Sequence, residues 1–172
     1  MLSPYSLRFW KADDLPDLIF HGNNPKIAQN MSDSFPSPYT EEAGLKFINF
    51  ANEDGKGRIF CIDYEGKAIG GIGLHPLSDI FQPSVELGYW LGEPYWGKGI
   101  ISQVIPEMLG IAFANPNIER VFARTMGRNI PSQQVLIKAG FKFEYELKGT
   151  IRKLGILEDE VVFGFRRAEL PL

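Results

Sequence analysis

The chain has 172 residues, 44% hydrophobic and 23% charged, the composition of an ordinary globular protein; at ~150 residues per domain it amounts to one domain, 1–172, able to hide roughly 70% of the surface its unfolded form exposes. Eighteen basic against 21 acidic side chains leave a net charge of −3, which excludes the generally basic surface that nucleic-acid binders need. One cysteine, Cys61, cannot form an internal disulfide, and with only His21 and His75 beside it no Cys/His zinc site can be built, so no metal is expected. No disulfide framework, no basic-then-apolar leader and no long uncharged apolar run are present. The expectation is a cytoplasmic protein that spans no membrane.

Leu7 to Lys11 reads as a first strand, followed by a helix capped by Asp13 or Asp14 and running to about Phe20. A short helical piece covers Pro25 to Met31. After a loop from Ser32 to Tyr39, Thr40-Glu41-Glu42-Ala43 opens a helix with Leu45, Phe47, Ile48 and Ala51 as its apolar positions. The period then changes. Arg58 to Tyr64 and Lys67 to Leu74 are strands joined by a tight turn at Glu65-Gly66. Ser84 to Leu91 is a further strand, with Val85, Leu87, Tyr89 and Leu91 on one face and Ser84, Glu86, Gly88 and Trp90 on the other. A helical pattern follows to about Ala114, interrupted by Pro106, where a kink is expected. Arg120 to Thr125 is a strand and Pro131 to Ala139 a helix stopped by Gly140. Phe141 to Gly149 and Glu158 to Arg167 form a closing antiparallel pair. Hairpins mixed with strand–helix alternation mark a mixed α/β (α+β) chain.

The chemistry concentrates at Tyr95-Trp96-Gly97-Lys98-Gly99-Ile100, between a strand and a helix start. Two glycines two apart let the backbone turn its N–H groups toward one point, and the helix N-terminus adds partial positive charge; together they suit a pyrophosphate. A P-loop is excluded because no Gly-x-x-x-x-Gly-Lys-Ser/Thr run exists. A dinucleotide fingerprint is excluded because its third small residue and its repeating strand–helix–strand context are missing.

Glu86-Leu87-Gly88-Tyr89-Trp90-Leu91 followed by Tyr95-Trp96-Gly97-Lys98-Gly99-Ile100 resembles the acetyl-coenzyme A signature of the GNAT N-acetyltransferases, in particular the branch that acetylates ribosomal-protein N-termini (RimJ/RimL-like). Asn129-Ile130-Pro131-Ser132 and Lys138-Ala139-Gly140-Phe141 resemble that branch's second signature, and the likeness extends over roughly Leu7 to Arg167. It departs from the broad family pattern at Pro94, where Gln or Arg is usual. The resemblance implies the acyl-CoA N-acyltransferase fold: a central mixed, mostly antiparallel sheet with helices on both faces and a splayed parallel pair, here Ser84–Leu91 and Arg120–Thr125. It implies acetyl-CoA as cosubstrate. The pantetheine arm would run along Tyr89, Trp90 and Leu91, and the pyrophosphate would sit on Trp96, Gly97, Lys98, Gly99 and Ile100. Asn129, Ser132 and, more loosely, Lys138 would hold the coenzyme from another side.

Direct transfer from a thioester to an amine needs a group to take the ammonium proton, a donor for the oxyanion and an acid for the leaving thiolate. Glu86 is the candidate base, directly or through water, against the alternative of a solvated or ion-paired strand carboxylate. Ser132 is the candidate acid, against a role as a first-turn helix residue; Tyr145 is a weaker alternative. Asn129 can equally cap the helix that follows it. His75 could assist proton removal or simply serve its loop. Cys61 reads as a buried inert thiol. Trp10, Phe35 and Tyr39 could line an acceptor pocket or belong to the core, and Glu158-Asp159-Glu160 could attract a cationic acceptor or be a solvated strand entry. The reading is acetylation of a primary amine, first a protein or peptide N-terminal α-amine. A small amine (polyamine, amino acid or aminoglycoside) comes second. A coenzyme A-binding regulatory module without turnover is a third reading and a nucleic-acid binder a remote fourth. A homodimer is expected by family analogy alone.

Overall fold

A computed structural model describes residues 4–53 and 58–170. Seven strands form one mixed, mostly antiparallel sheet: β1 (Tyr5–Arg8), β2 (Arg58–Tyr64), β3 (Lys67–Pro76), β4 (Ser84–Leu91), β5 (Arg120–Met126), β6 (Lys142–Lys153) and β7 (Ile156–Arg166), in the order β1-β2-β3-β4-β5-β7-β6. The helices are α1 (Leu15–Gly22), α2 (Pro25–Ala28), α3 (Glu41–Ala51), α4 (Ile100–Phe113) and α5 (Ile130–Lys138). This is the acyl-CoA N-acyltransferase fold expected above. The chain divides into two compact units, Met1–Gly73 with Tyr89–Ile100, and Leu74–Gly88 with Ile101–Leu172.

In the first unit, β1 pairs antiparallel with β2 from Tyr5↔Tyr64 to Arg8↔Cys61. The strand therefore starts two residues before the predicted Leu7 and ends before Lys11, because Trp10 turns into the core and a 3-10 turn begins at Ala12. Trp10, Leu18, Ile27, Tyr39, Ile48, Ile59, Cys61 and Trp90 form that core. Each large side chain buried there contributes about 1.5–3 kcal/mol. Trp90 was expected on the face of Glu86, opposite the apolar one; its burial shows that both faces of the strand end are covered. Asp14 precedes α1 but does not cap it. Its carboxylate accepts the Lys11 N–H at 2.8 Å and two bonds from the Arg8 guanidinium at 2.7 and 2.8 Å. Thr40 caps α3 through Ala43 N–H at 3.2 Å, as its position suggested. The buried face of α3 is Gly44, Ile48 and Ala51, and Leu45 is exposed, contrary to expectation. The reason is α1: it packs on the Gly44 side, where a Cβ would lie 2.5 Å from Leu15 Cδ1, so the glycine lets the two helices meet without displacing that side chain.

In the second unit, β5 pairs antiparallel with β7 from Arg120↔Arg166 to Met126↔Glu160. The parallel ladder of β4 on β5 is short: Ser84↔Arg120, Val85↔Val121 and Glu86↔Phe122, and no further pair is registered among the described residues. The expected splay thus begins after Glu86. The closing hairpin is longer than predicted. The 150–157 segment, read as a loop, continues both strands around a turn at Leu154 and Gly155, both at positive φ (50° and 80°), with bulges between Phe143 and Tyr145 and between Leu147 and Ile151. α4 runs on through Pro106, which sits on the exposed side where the carbonyl left without a partner can turn to water. Among the described residues no helix is long and apolar enough to cross a membrane.

Burial pushes the Asp14 carboxyl up, but its bonds from Arg8 and the Lys11 N–H outweigh this and hold it below its ordinary value of 3.8. A carboxylate lowered on folding stabilises fully above its unfolded pKa, and that stability is lost as pH falls through the folded one. Asp14→Asn should therefore lower the urea midpoint at pH 7. It should also flatten the loss of stability below about pH 4, measured by urea titrations across pH 2–7.

Candidate active site

The loop between β4 and α4 is built by the first unit. Gly92 N–H donates to Ile69 O at 2.8 Å, and a Cβ on Gly92 would lie 2.6 Å from His21 Nδ1, so the chain leaves β4 pressed against α1. Pro94 then starts a one-turn 3-10 helix, Glu93–Tyr95, closed by Tyr95 N–H to Gly92 O at 2.9 Å and Trp96 N–H to Glu93 O at 3.1 Å. The family-departing proline thus occupies a place where a fixed φ helps and an N–H is not needed. Glu93 accepts from Asn24 Nδ2 at 2.7 Å and pairs with Lys26, which neutralises the one carboxylate of the loop. Trp96 is partly exposed, and its indole N–H donates to Leu91 O at 2.7 Å, tying the loop back onto the strand end.

Gly97 and Gly99 follow with φ of 73° and 72°, and α4 starts at Ile100. Two left-handed residues on either side of Lys98, next to a helix start, are the backbone conformation in which N–H groups can converge on an anion. A Cβ on Gly97 would meet nothing within 4 Å, so the glycine is required by its φ while the space over it stays open. Lys98 is exposed, with its ammonium 5.3 Å from the Tyr95 ring centroid. Tyr89 is half-buried, and Trp90 and Leu91 are buried.

The second unit holds the other predicted residues. Glu86 is half-buried and lies 3.3 Å from Arg124, which also reaches Glu160 at 3.9 Å and stacks 5.4 Å from the Phe122 centroid. The ion-paired alternative for Glu86 is therefore realised. His75, exposed near the end of β3, presents Nε2 3.4 Å from where a Cβ on Gly88 would stand. Desolvation lowers the His75 pKa below its ordinary value, and the Glu86 charge opposes this. Asn129 caps α5, its side-chain oxygen accepting Ser132 N–H at 3.4 Å; its structural role is thus present. Ser132 is half-buried, Lys138 is exposed in the last turn of α5, and Tyr145 is exposed on β6.

The structure therefore joins Trp96 to Leu91, Asn129 to Ser132, and Glu86 to Arg124, with His75 within reach of the Glu86 charge. Sequence reasoning missed Arg124 and the Lys26–Glu93 tether. The tether spans 67 positions and leaves no local trace. Arg124 lies two residues beyond the register partner of Glu86, a relation set by the pairing of β4 with β5 and not by either strand alone. Gln133, whose amide donates to Met126 O at 3.2 Å and Gly127 O at 3.0 Å to pin the β5–α5 connection, was also missed. Cys61 is fully buried, its thiol pushed up to about 12 by desolvation, and so unsuited to attack. Trp10, Tyr39 and their neighbours are core. Among the described residues no group of three His, Cys, Asp or Glu side chains could hold a metal ion.

The sequence model of the GNAT acetyltransferase domain matches residues 6–142. The chain belongs to the GNAT acetyltransferase family. It is an N-acetyltransferase with acetyl-CoA as its acyl donor. It is 25% identical over 170 residues to p20 of Bacillus licheniformis, an uncharacterized N-acetyltransferase, covering 95% of this chain and 93% of that one. It is 30% identical over 98 residues to the ribosomal-protein-serine acetyltransferase of Escherichia coli, covering 57% and 54% of the two chains. Spermidine N-acetyltransferase from Vibrio cholerae, solved with CoA and spermine, shares the fold with a TM-score of 0.81 at 21% identity, over 98% of each chain.

In this GNAT chain the Trp96–Leu91 bond fixes the loop that carries Gly97 and Gly99. Trp96→Phe keeps the ring but removes the donor, a loss of about 1 kcal/mol. The dissociation constant for acetyl-CoA should rise about fivefold, measured by calorimetric titration, with circular dichroism unchanged.

Proposed function

We propose that this enzyme acetylates the N-terminal α-amine of a protein or peptide by direct attack on acetyl-CoA in a ternary complex, the whole chain acting as one catalytic domain. The observation that carries the coenzyme site is the pair of left-handed glycines, Gly97 and Gly99, at the start of α4. In this reading the pyrophosphate takes N–H groups from Gly97 to Ile100 and the pantetheine arm follows the backbone of Tyr89 to Leu91. Asn129 adds coenzyme contact to its capping role, Ser132 gives a proton to the leaving thiolate, and Lys138 meets the adenosine end. Glu86 serves the removal of the ammonium proton.

Two observations favour a peptide over a polyamine. The likeness to the ribosomal-protein-serine acetyltransferase is one. The other is the state of the acidic run: Glu158 pairs with Arg128, and Asp159 and Glu160 lie against Lys148 and Arg124, cations they share with Glu146 and Glu86, so no carboxylate of the run stands without one of the protein's own cations. A polyamine site needs carboxylates left over for the ligand.

Calorimetry with acetyl-CoA should show micromolar-range binding, within the range of about −8 kcal/mol per micromolar constant. Gly97→Glu, which adds a side chain and a negative charge at the seat, should abolish it. With the coenzyme site in hand, acceptor panels should give turnover with peptides bearing a free α-amine and little with spermidine. Turnover confined to spermidine or other small amines would replace the peptide assignment. Binding without turnover on any acceptor would favour a regulatory module.

A further inference from the structure

We propose that His75 is the general base that takes the acceptor's ammonium proton, and that Glu86 acts on the His75 imidazole rather than on the amine. The inference rests on the acetyl-transfer reading above and goes further by assigning its proton path. Glu86 and Gly88 share one face of β4. At Gly88 that face carries no side chain, and the opening is where His75 Nε2 arrives from β3, 3.4 Å from the missing Cβ position. A basic nitrogen therefore looks onto bare backbone one residue before Tyr89, while the Glu86 carboxylate is held by Arg124 at 3.3 Å. His75 is exposed, so an acceptor can reach it.

The chemistry agrees with the geometry. An α-ammonium titrates near 8, an ordinary imidazole near 6.5 and a glutamate near 4.3. Passing the proton to an ordinary imidazole is uphill by about 30-fold in equilibrium, and by more where the imidazole pKa is lowered as at His75; passing it to an ordinary carboxylate is uphill by several thousand-fold. An imidazole is mostly neutral at neutral pH, so the His75 lone pair is available, and the nearby Glu86 charge favours the imidazolium once formed. The charged groups around the ring are Glu86 of β4 and, behind it, Arg124 of β5, which Glu160 of β7 shares. No direct hydrogen bond joins His75 to Glu86; the influence is through space.

The step balances. Nε2 takes one proton from the ammonium, and the freed lone pair forms the N–C bond at the thioester carbonyl. The tetrahedral oxyanion collapses with cleavage of the C–S bond. The second nitrogen-bound proton passes to the leaving thiolate, and the imidazolium releases the first to solvent. One amide, one thiol and one solvent proton result.

The test compares His75→Gln and Glu86→Gln with the parent enzyme. In His75→Gln, kcat/KM for a peptide acceptor should fall at least 100-fold at pH 7. It should recover as pH rises and the amine deprotonates itself, while acetyl-CoA affinity stays at the parent value. In Glu86→Gln, the His75 imidazole resonance should titrate at lower pH than in the parent, and the acid limb of kcat/KM should move with it. A His75→Gln enzyme with kcat/KM within a few-fold of the parent at every pH overturns the proposal, as does an unmoved His75 titration in Glu86→Gln. Failure of the parent to bind acetyl-CoA would instead remove the coenzyme reading, and the calorimetric arm separates that outcome from the other two.

Discussion

Backbone hydrogen bonding in a sheet is obligatory, so a ladder that stops inside a strand needs a reason. β4 and β5 run parallel for three pairs and the register ends at Glu86↔Phe122, although both strands continue. Parallel strands are normally covered and paired along their length. Here the early end of the ladder falls beside the residues to which the proposed function gives the chemistry. Glu86 closes the ladder, Gly88 leaves the face open, His75 overlooks it, and the next residues of β4 lead into the glycine loop.

The loop itself is prepared by ordinary local devices. Pro94 sets the turn, the Trp96 indole ties the turn to Leu91, and Lys26 with Asn24 engages the carboxylate of Glu93 beside the proposed anion seat. The two glycines then supply the backbone conformation that no other residue adopts cheaply. None of these contacts is large, about 1 kcal/mol each at most for a neutral hydrogen bond. Their value lies in holding N–H groups in place before a ligand arrives, which reduces the ordering cost of binding.

Much of this was legible in the sequence because it rests on local rules. Alternating apolar residues marked β4, the Glu65-Gly66 turn marked the β2–β3 hairpin, Thr40 announced α3, and the glycine spacing announced the left-handed turn before α4. What escaped depended on distant partners. β1 is placed by its ladder with β2, not by its own residues, and Leu45 loses its core position because α1 approaches at Gly44. The closing hairpin outran its expected length because Arg152 and Lys153 and the turn at Leu154-Gly155 interrupt the strand pattern, and the apolar Ile156 and Leu157 beyond the turn stay exposed rather than marking a buried face. At the candidate site, the capping role of Asn129 was foreseen, but the partner of Glu86 was not. Arg124 changes what Glu86 can do, and that depends on register across β4 and β5, which one sequence does not display.

The account's central claim is that the end of β4 and the glycine loop form one acetyl-CoA seat. Amide hydrogen exchange of the whole protein, with and without saturating acetyl-CoA, tests it most directly. The account predicts slowed exchange at Gly97 to Ile100 and at Tyr89 to Leu91 together. Saturation by acetyl-CoA with exchange at both segments unchanged would contradict it.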